Sequence, residues 1–213
     1  MSDAQALIEA APMSPSLREL ARRGVARRLR KGTLLIAEGD AGDALYIVLS
    51  GRVRAYGAAG DGREVTYGEY GPGEYVGEMS LDGGPRAADV EAVLPGVVAV
   101  VTRHTLEDHL RRDPAFAFGL LAKVIRRARQ ATLTLKQIAL NDVYGRLKLL
   151  LEEATPVAGG RALDPAPSHL EMARRLGCSR EMVSRVLKDL ERGGYVEVGR
   201  RRLVLVKPLP AKW

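Results

Sequence analysis

The chain is 213 residues long, with one cysteine, three histidines and a formal net charge of +7. That length can bury cores for two small domains. A single thiol excludes an intramolecular disulfide and a cysteine-only iron–sulfur centre built by one chain, and histidines at 104, 109 and 169 are too scattered for a clustered metal site.

No segment has the apolar length of a membrane span, and the start Met-Ser-Asp-Ala-Gln lacks the basic and apolar regions of a signal peptide, so a cytoplasmic location without a membrane partner is expected. The charge is unevenly spread. Residues 1–110 hold 12 Lys and Arg against 16 Asp and Glu, residues 111–140 hold 7 against 1, and residues 141–213 hold 14 against 9. An acidic sensing part and a basic part suited to phosphate is the simple reading. No nucleophile–base pair, metal cluster or phosphate-transfer loop stands out, so catalytic residues, metal ligands and an enzymatic activity are not expected.

In chain order, residues 17–29 read as a short basic helix. From Gly32 the pattern changes to short apolar runs, 34–36, 45–49, 53–56, 64–67 and 97–101, separated by glycine-containing turns. Turn signals at that spacing predict a β-roll or jelly roll, not a parallel sheet.

Gly77-Glu-Met-Ser80 and Arg86-Ala87 lie in one cassette, residues 77–90. Gly77 lets the backbone approach a ligand, the amides through Met79 and Ser80 can point at an anion, and Arg86 offers a planar donor fork for phosphate. Glu78, beside that anion, would accept a hydrogen bond from a sugar hydroxyl.

Asp113-Pro114 is a helix start, and the helical pattern continues to about Ala139, a rod of about 39 Å. Leu121, Val124, Ala128, Ala131, Leu135 and Ile138 repeat with alternating steps of three and four, the spacing of a two-stranded seam. This helix is expected to dimerise the protein. Asp142 can cap the next helix, through Leu147 to Leu151, and residues 156–167, rich in Gly, Ala and Pro, read as a surface loop.

The next stretch is the most informative. Ser168-His169-Leu-Glu171 is a capping box that starts a helix through Leu176. Gly177 ends it, Ser179 caps another, and in that helix Val183, Val186, Leu187 and Leu190 form one apolar stripe. Arg180, Glu181, Ser184, Arg185 and Lys188 occupy its other side, giving a helix-turn-helix whose arginines can donate in pairs to guanine and whose Glu181 can accept from cytosine. Strands 195–198 and 203–206 follow, joined by Gly199-Arg200-Arg201-Arg202, a wing whose basic tip can touch phosphate.

The order of parts resembles the cyclic-AMP receptor protein and fumarate–nitrate regulator (Crp/Fnr) family of bacterial transcription factors. The resemblance is carried by residues 31–39, 45–53, 77–90, Asp142-Val-Tyr-Gly-Arg146 and, most specifically, Gly177-Cys-Ser-Arg-Glu-Met-Val-Ser-Arg185. It implies an α+β chain with an effector-binding β-roll at 1–112, a dimerisation helix at 113–140 and a winged helix-turn-helix at 141–213. Its implied partners are double-stranded DNA, a second copy of the chain and RNA polymerase, with Arg180, Glu181 and Arg185 reading a TGTGA-like half-site.

The resemblance implies a cyclic nucleotide as the leading effector, an allosteric ligand and not a cofactor, with another small ligand, a redox signal or no effector at all as the alternatives. By this resemblance Glu78 takes the ribose and Arg86 the phosphate. Ala87 stands where cyclic-AMP binders carry serine, and of the residues facing the purine Thr132 keeps a hydroxyl while Ala131 does not. Two lost hydroxyls, each worth on the order of 1 kcal/mol, are expected to weaken cyclic-AMP binding by roughly tenfold or more without abolishing it.

Overall fold

The computed structural model describes residues 3–212. The chain divides into two compact units, Met1–Gly57 with Thr66–Ala128, and Ala58–Val65 with Arg129–Trp213.

The first unit opens with α1 (Asp3–Ala10) and α2 (Pro15–Arg22). Ser14 caps α2 by accepting from the Leu17 amide, and proline follows at the first helical position, where a missing N–H costs nothing. Leu17, Leu20 and Ala21 turn into a core shared with Leu45, Ile47, Val101 and Phe116.

The helix expected over 17–29 stops at Arg22. Its second half is a strand, β1 (Val25–Leu29), antiparallel to residues 96–100. Gly24 makes the switch: a Cβ there would sit 2.9 Å from the Val100 carbonyl oxygen, so the chain passes flush against the sheet. Ladder hydrogen bonds outweigh the small helical preference of an Ala-Arg-Arg run.

The roll continues through β2 (Leu34–Ile36), β3 (Leu45–Ala58), β4 (Glu64–Tyr70), β5 (Tyr75–Val76), a 3-10 turn (Glu78–Ser80) and β6 (Asp89–Val101). The sheet order is β1-β6-β3-β4, with β2 on β6 and β5 on β3. The two runs expected at 45–49 and 53–56 are one long strand whose register against β6 slips between Val48 and Val53. Gly51, at φ 80°, absorbs that slip where the two backbones nearly touch. Val48, Val53, Val76, Val90 and Val98 fill the roll.

Two helices follow, α3 (Arg103–Arg112) and α4 (Ala115–Leu140). The residues of α4 through Ala128 belong to the first unit and those from Arg129 to the second.

In the second unit Asp142 caps α5 (Val143–Leu151), accepting from the Gly145 amide at 2.7 Å. The stretch 156–167, expected as a loop, instead holds most of a hairpin, β7 (Thr155–Val157) with β8 (Gly160–Leu163). Strands of three and four residues are too short for alternation to register, and the hairpin is fixed from outside it. Arg161 donates to the Ala154 carbonyl at 2.9 Å and to that of Glu152 at 2.6 Å.

Helices α6 (His169–Leu176) and α7 (Arg180–Arg192) come next, then β9 (Val196–Gly199) and β10 (Arg202–Leu205). The sheet order is β7-β8-β10-β9. Leu147, Leu151, Met172, Val183, Leu187, Leu190 and Leu203 make one core, so helix-turn-helix and wing share a support. Among the described residues no helix is long and apolar enough to cross a membrane.

Candidate effector site and nucleic-acid interface

The cassette of residues 77–90 is built around a buried arginine. Gly77 adopts φ 93°, and a Cβ there would lie 2.7 Å from the Ala44 carbonyl oxygen and 2.9 Å from Arg86 Nη1, so only glycine fits. Arg86 is 6% exposed. Its Nη1 donates to Gly77 O at 2.9 Å and Ser80 Oγ at 2.7 Å, and its Nη2 to Ala44 O at 3.0 Å. Among the described residues no carboxylate comes within ion-pair distance of it. Neutral acceptors satisfy its donors without cancelling its charge, which leaves a desolvated cation suited to an anion.

Ser80, buried, supports Arg86 and is thereby occupied, whereas Met79 and Ala87 are exposed. Ala131 and Thr132 are exposed positions on the part of α4 that belongs to the second unit.

Glu78 is also buried, at 6% exposure. Its Oε1 accepts from Arg127 Nη1, while its Oε2 has no hydrogen-bond partner among the described residues. Arg127 also donates to the Tyr75 carbonyl at 2.6 Å and lies over the Tyr70 ring, 4.5 Å from its centroid. Burial and then the Glu78 charge push the Tyr75 hydroxyl up to about 12, and burial raises Tyr70 as well. Both rings are therefore neutral platforms for cations.

Arg127 is the residue that sequence reasoning missed. The available signal was its position four residues before Ala131, one turn along the same face of the long helix.

The nucleic-acid surface is assembled from local capping. Ser168 and Glu171 form the reciprocal capping box at the head of α6, with the Ser168 amide donating to Glu171 Oε2 at 2.6 Å and the Glu171 amide donating to Ser168 Oγ at 3.2 Å. Gly177, at φ 63°, ends α6, and Ser179 caps α7 by accepting from the Met182 amide. Arg180, Glu181, Arg185 and Lys188 are exposed on α7, opposite buried Val183, Val186, Leu187 and Leu190. Ser184 is half-buried and bonded to His169, with Nδ1 and Oγ 2.8 Å apart.

The wing is shifted one residue from expectation. β9 begins at Val196, not Tyr195, and Arg202 is the first residue of β10, paired with Gly199, so the turn is Arg200-Arg201 alone. Arg201 turns the chain at φ 58°, and its carbonyl accepts from the Ala166 amide at 2.7 Å. Arg200, Arg201 and Arg202 are all exposed. A cleft of about 500 Å³ between wing and α6 is lined by Ser168, His169, Glu171, Val198, Arg201 and Arg202.

Cys178 is half-buried in the turn, packs against the core of its unit, and is held as a thiol by burial. Among the described residues no cluster of three or more His, Cys, Asp or Glu is placed to hold a metal ion.

These parts match known families. A cyclic nucleotide-binding domain matches residues 26–113 and a Crp-like helix-turn-helix domain matches residues 147–209. The cyclic AMP receptor protein of Thermus thermophilus is 37% identical over 194 residues, 88% of this chain and 87% of that protein. The chain belongs to the Crp/Fnr family of transcription regulators.

A CRP-like cAMP-activated global transcriptional regulator of Mycobacterium tuberculosis shares 32% identity with this Crp-like regulator over 79% of this chain and 78% of its own. Among solved structures, the c-di-GMP responsive global regulator CLP of Xanthomonas campestris superposes with a TM-score of 0.78 at 28% identity, covering 91% of this chain and 99% of that one. The Crp-like regulator therefore carries a sensor domain of cyclic nucleotide-binding type and a DNA-binding helix-turn-helix.

Proposed function

We propose that this Crp-like regulator works in the cytoplasm as a homodimer on palindromic DNA with TGTGA-like half-sites, under the control of a cyclic nucleotide such as cyclic AMP. The observation that carries the effector reading is the contrast between Arg86 and Glu78. Among the described residues Arg86 is buried with no carboxylate at ion-pair distance, and Glu78 buries an oxygen with no donor. A phosphate on Arg86 and a ribose hydroxyl on Glu78 Oε2 would meet both needs with one ligand. Gly77, the Met79 and Ser80 amides, Ala87, Ala131 and Thr132 complete the proposed contacts.

The dimer reading rests on α4, where Leu121, Val124, Leu135 and Ile138 are 55, 42, 66 and 45% exposed in the single chain. A stripe that apolar at that spacing is stabilised by a second copy of itself. Two such chains would hold their α7 helices for successive major grooves, about 34 Å apart. Arg180, Glu181 and Arg185 then read bases. Ser168, Ser179, Lys188 and the wing arginines 200 to 202 hold phosphate, with His169 and Ser184 beside them. RNA polymerase is the proposed protein partner on DNA. A ligand acts by preferring one arrangement of the dimer over the other.

A second reading, DNA binding without any effector, is favoured by one observation, the neutralisation of Glu78 by Arg127 within the chain. Calorimetric titration with cyclic AMP and cyclic GMP, followed by mobility shift on a palindromic duplex with and without each nucleotide, separates the two. Binding heat and a nucleotide-dependent shift are expected. A shift with no binding heat selects the effector-free regulator, and equal binding to scrambled duplex overturns the DNA assignment.

A further inference from the structure

Residues Ala58–Val65 close the β3–β4 hairpin of the roll, yet they belong to the compact unit that holds the helix-turn-helix. This tip is locally built. The Ala59 amide donates to the Arg63 carbonyl at 2.8 Å and the Gly62 amide to the Ala59 carbonyl at 2.9 Å, with Gly62 at φ 79°, where glycine carries no penalty. Asp61 is occupied inside the turn, accepting at Oδ2 from Arg63 Nε at 2.7 Å. Glu64 and Val65 lead out of the turn into β4, and both meet the end of α6.

Glu64 forms an ion pair with Arg174 in the last turn of α6, with Oε2 and Nε 2.9 Å apart and the two side chains 23 and 30% exposed. Val65 lies against the residue that ends the helix: a Cβ on Gly177 would come 3.0 Å from Val65 Cγ2. Arg146 of α5 holds the same end, donating to the Leu176 carbonyl at 3.0 Å and to the Asn141 carbonyl at 2.9 Å. The turn before the reading helix is thus gripped by the hairpin tip and tied to the residue that follows α4.

We propose that the hairpin tip is a latch on the helix-turn-helix, closed by the Glu64–Arg174 pair, and that the closed latch is the DNA-competent state. The direction follows from what the contact leaves open. Arg180, Glu181, Arg185 and Lys188 stay exposed on α7 while the latch is closed, so the tip fixes the reading helix without covering it. Opening the pair spreads the helix-turn-helix over more orientations, and affinity falls with the fraction that still fits a groove. One strand joins the latch to the proposed effector residues, since β4 runs from Glu64 to Tyr70, over whose ring lies Arg127, the partner of Glu78. The inference rests on DNA reading by α7 and not on the identity of the effector.

The test compares the intact native protein with Glu64→Arg, Arg174→Glu and the variant carrying both changes, which restores the pair with its charges swapped. Neither side chain belongs to a core cluster, so the cores stay intact. Amide hydrogen exchange over residues 58–65, read without DNA or nucleotide, should quicken by about threefold or more in each single variant and return towards the native rate in the swapped pair. Affinity for a palindromic duplex with TGTGA half-sites should fall by about threefold or more in each single variant and recover in the swapped pair. That recovery separates a latch from a direct contact of Arg174 with phosphate, which a second change at Glu64 could not restore. Unchanged hydrogen exchange, tighter DNA binding by the single variants, or losses that the swapped pair does not repair would each overturn the proposal. If the native protein binds no duplex, the DNA assignment fails instead, and unchanged or quickened exchange at the tip still decides whether the latch exists.

Discussion

His169 Nδ1 and Ser184 Oγ stand 2.8 Å apart and join α6 to α7 by a side-chain bond. Both residues were expected to face DNA, yet the bond commits one polar atom of each to the angle between the two helices. A part-buried hydrogen bond of this kind contributes about 1 kcal/mol net. His169→Ala and Ser184→Ala should therefore each destabilise the protein by about that amount, and the double variant by less than their sum. Urea unfolding of the four proteins measures the coupling, and strictly additive losses would remove the bond from the account.

The head of α6 gives a pH dependence with a defined sign. The Ser168 amide, and after it the Ser168 side chain, hold the Glu171 carboxyl below its ordinary range. A carboxyl depressed on folding contributes stability that is present above the unfolded value, about 4.3, and is lost as the pH falls through the lower folded value. Glu171→Gln keeps an acceptor but no titration. The stability gap between native protein and variant should thus be constant near pH 7 and close as the pH approaches 3, read as midpoint temperature against pH. A gap that widens in acid contradicts the capping-box reading.

The sequence was most legible where local chemistry decides the structure. The capping box at Ser168, the cap at Ser179 and the left-handed Gly177 are properties of a few consecutive residues, so α6, its turn and the head of α7 could be read directly. What stayed hidden depended on distant partners. β1 is a strand because β6 lies alongside it, and the hairpin of β7 and β8 is held by β10, whose Leu203 pairs with Leu163 of β8. The same holds in the candidate effector site. Arg86 and Glu78 stand out in the sequence because they share one glycine-rich cassette, whereas Arg127 is 49 positions from Glu78 and meets it only through the packing of α4 on the roll.

That packing makes Arg127 a sharp test of the site. Its side chain is 21% exposed and that of Glu78 only 2%, so removing the cation strands a buried carboxylate. Breaking such a pair from one side costs about 3 kcal/mol, while replacing both partners by neutral groups is far less damaging. Arg127→Gln should lower the denaturation midpoint markedly, and Glu78→Gln added to it should recover most of the loss. Failure of the second substitution to rescue the first would mean that Arg127 matters through Tyr70 and Tyr75, not through Glu78.

The apolar stripe of α4 makes a prediction about assembly. Leu135 is 66% exposed in the single chain. Glutamate at this position places like charges face to face in any symmetric pair while leaving the interior of either unit untouched. Leu135→Glu should halve the mass measured by light scattering with little change in the circular dichroism spectrum, and it should abolish preference for a palindrome over an isolated half-site. An unchanged mass would move the proposed interface off this helix.

The two groups of exposed arginines should part company on DNA. Arg180 stands at the head of α7, where its fork can address a single base edge, and a good bidentate pair is worth about 1 to 3 kcal/mol of discrimination. Arg201 stands at the wing turn, where the backbone is pinned by the bond from the Ala166 amide, and its proposed role is to place a charge at phosphate without reading sequence. Arg180→Ala should relax selectivity at one position of the half-site and leave binding to other sequences nearly as it was. Arg201→Ala should weaken all duplexes alike and reduce the dependence of log affinity on log salt by about one unit. Competition binding across a half-site substitution series at several salt concentrations measures both effects. If the two variants show the same profile, the division of labour between reading helix and wing is wrong.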